Sequence, residues 1–239
     1  MAFIRPFEPK DTEDCKYICR ATLPPTLAAS KGGYRMAPYL WTLQFTHLSP
    51  QTCFVLDDGT GHVVGYIIGT PDVFRFAADY PRYISEVLQS EQGLADVPVP
   101  KQLDEPDSFF IPDPDSTNDG EKRKNVVNEE SMAQSAYKVE WLILDGVQGK
   151  RELVEKYRAM LHIDLLEEVQ GQGWGRKMIE KFVESVREEG KKEGVDFGKG
   201  IQLGVAGENT KVVKFYEKVG FRVYPGGERE GNVWMVRDL

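Results

Sequence analysis

The order of elements in this chain predicts an α/β protein, in the stricter sense α+β. Three observations carry that reading. Two β-rich runs, Thr52–Leu56 and His62–Gly69, flank an Asp-Asp-Gly-Thr-Gly turn and form a hairpin signature. An apolar run, Leu161–Leu166, passes through a glycine-rich turn directly into a helical pattern. After that helix the chain reads strand, helix, strand, strand to its end.

From the N-terminus, Phe3–Phe7 reads as a first strand and Asp11–Thr22 as a helix stopped by Leu23-Pro24-Pro25. A second helical segment covers about 36–46 and leads into the hairpin. Beyond the hairpin, Asp79–Gln89 is helical in pattern, with Tyr80, Tyr83, Ile84, Val87 and Leu88 periodic. Gln92–Glu130 is rich in Pro, Asp and Asn and reads as a long flexible loop. Tyr137–Leu144 alternates and reads as a strand; Gly149–Tyr157 reads as a short polar helix. The last third is clearer. Met178, Ile179, Phe182, Val183 and Val186 recur at the helical period, with charged residues between them. Gly200–Val205 alternates as a strand. In the next helix Asn209 is the expected N-cap, Val212, Val213, Phe215, Tyr216 and Val219 form the apolar face, and Gly220 is the C-terminal cap. Phe221–Tyr224 and Val233–Arg237 are the final strands.

At 239 residues the chain is long enough for one sizeable core carrying a large insertion, so we expect a single domain over 1–239 with 71–158 inserted and a flexible loop at 92–130. The net charge of −8 and pI near 5.1 argue against a nucleic-acid surface, which needs a basic footprint. They suit a cationic, amine-bearing substrate. The first residues lack a signal-peptide pattern and no apolar run reaches membrane-span length, so no membrane partner and a cytoplasmic location are expected. Cys15 and Cys19 stand one helical turn apart without a second Cys/His pair, which reads as reduced thiols rather than a metal site.

The chemistry concentrates in Gln170-Gly171-Gln172-Gly173-Trp174-Gly175-Arg176. Glycines let a backbone approach a ligand closely, and the first amides of a helix are free to bind an anion. A nucleoside-triphosphate loop needs Lys-Ser/Thr after its last glycine, but Arg176-Lys177-Met178 follows here. A dinucleotide fingerprint lacks its third glycine. Gln170-x-x-Gly173-x-Gly175 instead resembles the pyrophosphate signature of the GNAT acetyltransferase superfamily, and Asn209-x6-Tyr216-x3-Gly220-Phe221 resembles the second half of that core.

The resemblance implies a mixed, mostly antiparallel sheet of about six to seven strands with helices on both faces, splayed fourth and fifth strands, and the insertion between the third and fourth. The insertion would then lie near the acceptor side; a surface elaboration or a dimerisation arm is an equal alternative. Acetyl-coenzyme A is the implied cosubstrate, with no metal. Its contacts would be the amides of Gln170, Gly171, Gln172, Gly173, Trp174, Gly175 and Arg176, the strand end at Leu165 and Leu166, and Asn209 and Tyr216. Tyr216 would protonate the leaving thiolate. Asp164 is an isolated carboxylate in an apolar strand, costly if buried without partners, and is the candidate to bind the ammonium or take its proton. His162, on the same strand face, is a second base candidate, and Asp72, Glu140 and Trp141 are candidates to line the acceptor pocket.

Ile4-Arg5-Pro6, Tyr17–Arg20, Tyr66–Asp72 and Leu161–Leu166 further resemble the branch related to the C-terminal domain of O-GlcNAc hydrolase. That branch suggests a small-molecule amine acceptor such as the amino sugar glucosamine, with the enzyme a monomer or homodimer. Two readings stand beside it: acetylation of a protein lysine or N-terminus, and a non-catalytic module that binds the cofactor or a partner.

Overall fold

A computed structural model describes residues 1–113, 125–145, 148–229 and 232–239. In chain order the strands are β1 (Phe3–Pro6), β2 (Phe54–Asp57), β3 (Val63–Thr70), β4 (Phe110–Pro112), β5 (Asn125–Val127), β6 (Ala159–Leu165), β7 (Gly200–Ala206), β8 (Arg222–Arg229) and β9 (Asn232–Asp238). The helices are α1 (Thr12–Ala21), α2 (Pro25–Ala29), α3 (Lys31–Trp41), α4 (Leu43–Leu48), α5 (Val73–Tyr83), α6 (Glu91–Asp96), α7 (Glu129–Tyr137), α8 (Val139–Ile143), α9 (Lys150–Lys156), α10 (Trp174–Glu193) and α11 (Val213–Lys218). Seven strands form one sheet in the order β1-β2-β3-β6-β7-β9-β8, and β4 and β5 pair separately. All ladders are antiparallel except β6 with β7.

The side-chain period of two sorts each strand between two faces. Ile67 of β3 and Phe54 and Leu56 of β2 pack with Met178, Ile179, Phe182, Val183 and Val186 of α10. Tyr66 and Ile68 turn the other way, into the cluster built by α1, α3, α4 and the insertion. The helix face foreseen for α10 is therefore the buried one. At the N-terminus, Arg5 of β1 donates to Asp11 at the start of α1 (2.7 and 2.8 Å) and to Asp57 of β2 (3.0 Å), tying the first helix to the sheet edge.

The insertion departs from its sequence pattern in three places. Tyr137–Leu144 is not a strand: α7 ends at Tyr137 and α8 follows. Val139 and Ile143 are both buried, and a spacing of four satisfies helical and strand periods alike, so alternation could not separate them. The helix expected from Asp79 starts at Val73, capped by Asp72, and closes in a π-helical turn over Ile84–Leu88. Within Gln92–Glu130 the described residues include α6, β4 and β5, while 114–124 lie outside the described residues. The insertion also supplies core: Val73, Phe76, Tyr80, Tyr83, Leu88, Met132, Ala136 and Ile143 are buried against α1, α3 and α4. No described helix is long and apolar enough to cross a membrane.

Candidate active site

β6 and β7 run parallel and pair only at Ala159↔Ile201 and Met160↔Gln202. Beyond Met160 the two strands part, and among the described residues the β7-facing edge of β6 has no strand partner. Along a strand, successive residues direct their main-chain groups to opposite sides. Leu166 donates its amide to Val64 O on β3 (3.0 Å), so Leu165 and Ile163 face the splay. This corrects the expectation for Leu166, whose amide is already used, and brings in Ile163. Nothing in the residue type of Ile163 marks it; the signal is the ladder's parity.

A turn follows. Gln170 folds back so that its Nε2 donates to Leu165 O (2.8 Å), and its amide donates to Glu167 O (3.1 Å). The Gln170 amide is thus removed from the expected anion cradle. Gly171 and Gly173 hold φ of +73° and +83°, the left-handed region in which side chains are strained, and a Cβ built on either meets only open space. Gly173 is the N-cap of the 20-residue α10, and no main-chain bond is described for the amides of Gly171 to Arg176. These six donors, with the positive end of the helix dipole, suit a phosphate. Gly175 serves a different end: a Cβ there would stand 2.9 Å from Phe215 Cζ, so its small size lets α10 and α11 touch. Arg176 does not face the turn freely; its guanidinium donates to Lys218 O (3.2 Å). Lys177 Nζ lies 4.2 Å from the Trp174 ring centre, a cation–π contact beside the cradle.

On the opposite face of β6, the antiparallel register sets Asp164 directly across from Tyr66, and His162 across from Ile68. Asp164 accepts from the buried Tyr66 hydroxyl and from His162 Nε2 (3.0 Å); Thr22, whose hydroxyl donates to Ile18 O (2.9 Å), lies close enough to favour its charge. Tyr66 spends its proton on Asp164, so Thr42, 3.4 Å away at the break between α3 and α4, donates to it. Burial pushes the Asp164 carboxyl up, but His162, Tyr66 and Thr22 together hold it below its ordinary value of 3.8. Burial likewise works against a charged His162, and the Asp164 carboxylate overcomes it, raising the imidazole above 6.5. Each thus favours the other's charged form.

Tyr216 on α11 is half-buried, with its ring edge-on to Phe221 at 5.7 Å. That contact is made by the C-terminal turn: Gly220 holds φ +91° and the Phe221 amide donates to Tyr216 O (3.0 Å). Burial, reinforced by the Asp164 charge, raises the Tyr216 phenol well above its ordinary 10. The helix therefore brings Tyr216 within electrostatic reach of the His162–Asp164 pair.

Other expected site residues fall elsewhere. Asp72 sits at the far end of β3, beyond Thr70↔Met160, where its carboxylate accepts from Phe74 N (2.9 Å) and caps α5. Glu140 and Trp141 lie on α8, where Glu140 influences Tyr80 and Lys138 Nζ stacks 4.2 Å from the Trp141 ring; no described contact joins them to His162 or Asp164. Asn209 does not cap α11, whose N-cap is Val212; it is an exposed, non-helical residue (φ −117°) in the 3-10 turn Gly207–Val212. Tyr66, Thr22 and Thr42 are the functional neighbours that sequence reasoning missed.

Residues 142–221 match the model of the Acetyltransferase (GNAT) family. No curated protein matches the chain. Among solved structures, SsHAT is 28% identical with a TM-score of 0.70, over 99% of this chain and 98% of that one. PH1933 from Pyrococcus horikoshii OT3 shares the fold at 15% identity and a TM-score of 0.51, over 100% and 99%. A GNAT superfamily phosphinothricin acetyltransferase from Sinorhizobium meliloti, solved in complex with AcCoA, is a more distant neighbour (14%, TM-score 0.46, over 100% and 88%). The family match over β6, the glycine turn, α10 and α11, joined to the fold shared with SsHAT, supports the GNAT acetyltransferase superfamily for this chain, and with it an acyltransferase activity.

Proposed function

We propose that this chain is an acetyl-coenzyme A-dependent N-acetyltransferase acting on the primary amine of a small molecule, by direct attack within a ternary complex. The observation that carries the reading is the splay of β6 from β7, which ends in a glycine-opened helix N-terminus and holds a hydrogen-bonded His162–Asp164 pair on its wall. The amides of Gly171 to Arg176 suit the cofactor's pyrophosphate, and the β7-facing amides of Ile163 and Leu165 suit the pantetheine and the thioester oxygen, as donors fixed before reaction.

The proton assignments follow from the electrostatics. Asp164 is expected from the sequence to bind the ammonium or to take its proton; a carboxylate held below its ordinary range accepts a proton poorly, which leaves it the first role. His162 titrates above 6.5, nearer working pH, and its Nε2–H on Asp164 leaves Nδ1 to receive the amine's proton. The amine nitrogen bonds to the acetyl carbon as the C–S bond breaks, His162 takes the nitrogen's proton, and Tyr216, kept as a neutral phenol, protonates the thiolate. The amino-sugar acceptor, glucosamine as the test case, rests on the resemblance of 66–72 and 161–166 to the O-GlcNAc hydrolase branch. The same reading carries a cytoplasmic, single-domain protein, monomeric or homodimeric.

The test is thiol release from acetyl-coenzyme A with a panel of amines: glucosamine, polyamines, aminoglycosides, amino acids and a lysine peptide. Turnover with a small amine that is lost in His162→Ala supports the proposal. Turnover confined to the peptide would move the acceptor to protein, and cofactor binding without turnover on any amine would leave a binding module.

A further inference from the structure

Across the splay from His162 stands a buried cation, Lys150, with no partner of opposite charge among the described residues. Lys150, the first residue of α9, is 7% exposed. Its described hydrogen bond is a donation to Gln202 Oε1 (3.0 Å), and the Trp234 ring centre lies 5.6 Å away. No carboxylate pairs with it among the described residues, and burial alone pulls its ammonium down to about 8. Gln202 is fully buried, and among the described residues its Nε2 has no partner. The amide's orientation is fixed: lysine only donates, so Oε1 must face Nζ and Nε2 must face away. Two buried donors with unused capacity therefore sit side by side. Proteins seldom leave such groups unpaired, and a buried ammonium ordinarily acquires a carboxylate.

Their place gives this meaning. Gln202 pairs with Met160, the last pair before β6 and β7 part. By alternation His162 and Asp164 lie on the same face as Met160, two and four residues further along β6. The Lys150–Gln202 donors thus mark the apex of the splay, on the face where His162 and Asp164 stand. The strand rise and spacing separate Gln202 from His162 by about 8 Å along the sheet. The geometry points to an oxyanion-recognition site: Lys150 and Gln202 bind a carboxylate or phosphate carried by the acceptor, while the acceptor's amine meets His162. This rests on the proposed acetyltransfer and narrows its substrate to small amines that also bear an anion. Only an acceptor-rich group fits, because both free functions donate.

The experiment compares matched acceptors, glucosamine with glucosamine 6-phosphate and β-alaninamide with β-alanine, in thiol-release kinetics on the full chain. We expect the wild type to favour the anionic member of at least one pair by tenfold or more in kcat/KM. In K150M that preference collapses toward one. Q202E is the second variant: its carboxylate gives Lys150 a partner, so it folds and still loses the preference. Equal use of both members of each pair by the wild type overturns the site, as does a K150M effect on the KM for acetyl-coenzyme A alone. Thermal melting needs no turnover and separates this inference from the reaction it rests on. A Tm raised by glucosamine 6-phosphate but not glucosamine, and lost in K150M, supports the site even if no amine is acetylated. A wild-type Tm unmoved by any anionic acceptor overturns it.

Discussion

The two sides of the splay are built from different materials. The cofactor side is main chain: the β7-facing edge of β6, then six amides from Gly171 to Arg176, in one uninterrupted stretch of sequence. The acceptor side is side chains gathered from four elements or their ends: Thr22 after α1, Thr42 at the α3–α4 break, Tyr66 on β3, and His162 and Asp164 on β6. A site made of backbone depends on conformation, so glycine spacing announces it. A site made of side chains depends on register, which no short segment contains. The two sides should therefore break differently: side-chain substitutions on the acceptor side should lower the chemical step, and backbone substitutions on the cofactor side should weaken binding.

The largest effect belongs to His162. His162→Ala should lower kcat by about 10²–10⁴-fold, the range for a lost general base, with acetyl-coenzyme A affinity held. Asp164→Asn tests the pairing through pH. Asp164 raises the imidazole pKa, so its neutral analogue should shift the acidic limb of the kcat/KM profile to lower pH. A limb that stays in place would detach His162 from the reaction. Stability carries a matching sign. The His162 contribution is complete below 6.5 and fades as pH rises through the raised folded value; the Asp164 contribution is complete above 3.8 and fades as pH falls through the lowered one. Denaturation of wild type against Asp164→Asn should differ most between those limits.

Tyr216→Phe comes next. The phenol is held neutral by burial and by the Asp164 charge, which suits an acid and removes it as a base. Its loss should lower kcat by roughly 10²-fold, with little change in cofactor affinity, since the ring's packing on Phe221 survives. An unchanged kcat would assign Tyr216 to packing alone.

Gly173→Ala carries the comparison to the other side. At φ +83° an alanine costs about 1–2 kcal/mol, although open space surrounds its Cβ. If the turn relaxes to relieve that strain, the cradle amides lose their alignment. Calorimetry should then show acetyl-coenzyme A affinity weakened by roughly 5- to 30-fold, with kcat at saturation nearly preserved. A drop in kcat at unchanged affinity would contradict the division drawn between the two sides.

What could be read in advance follows the same division. The turn, the buried face of α10 and the Gly220 cap were legible because each depends on neighbours within a few residues. The isolation of Asp164 in an apolar strand showed that it needed partners, but its partners were not legible: Tyr66 lies 98 residues away and meets it only through the β3–β6 register. The amide of Leu166 was misassigned for the same reason, since which strand residues face the splay is a matter of ladder parity. α8 was mistaken for a strand where two periods coincide, and Asn209 for a cap where a 3-10 turn intervenes before α11.

Asp72 gives the smallest effect and the clearest contrast. Placed at the end of a strand after a Gly-Thr-Pro turn, it was an attractive acceptor residue, yet its carboxylate accepts from Phe74 N and opens α5 at the end of β3 away from Asp164. Asp72→Ala should remove a helix cap at a cost of about 1 kcal/mol, visible as a lower denaturation midpoint at unchanged m-value. Asp72→Asn should recover most of that, because an asparagine oxygen accepts the same bond. Neither substitution should move the KM of any amine. A raised amine KM in Asp72→Asn, where the cap is retained, would bring this end of β3 into the acceptor site and erase the line drawn here between residues that hold the insertion in place and residues that meet the substrate.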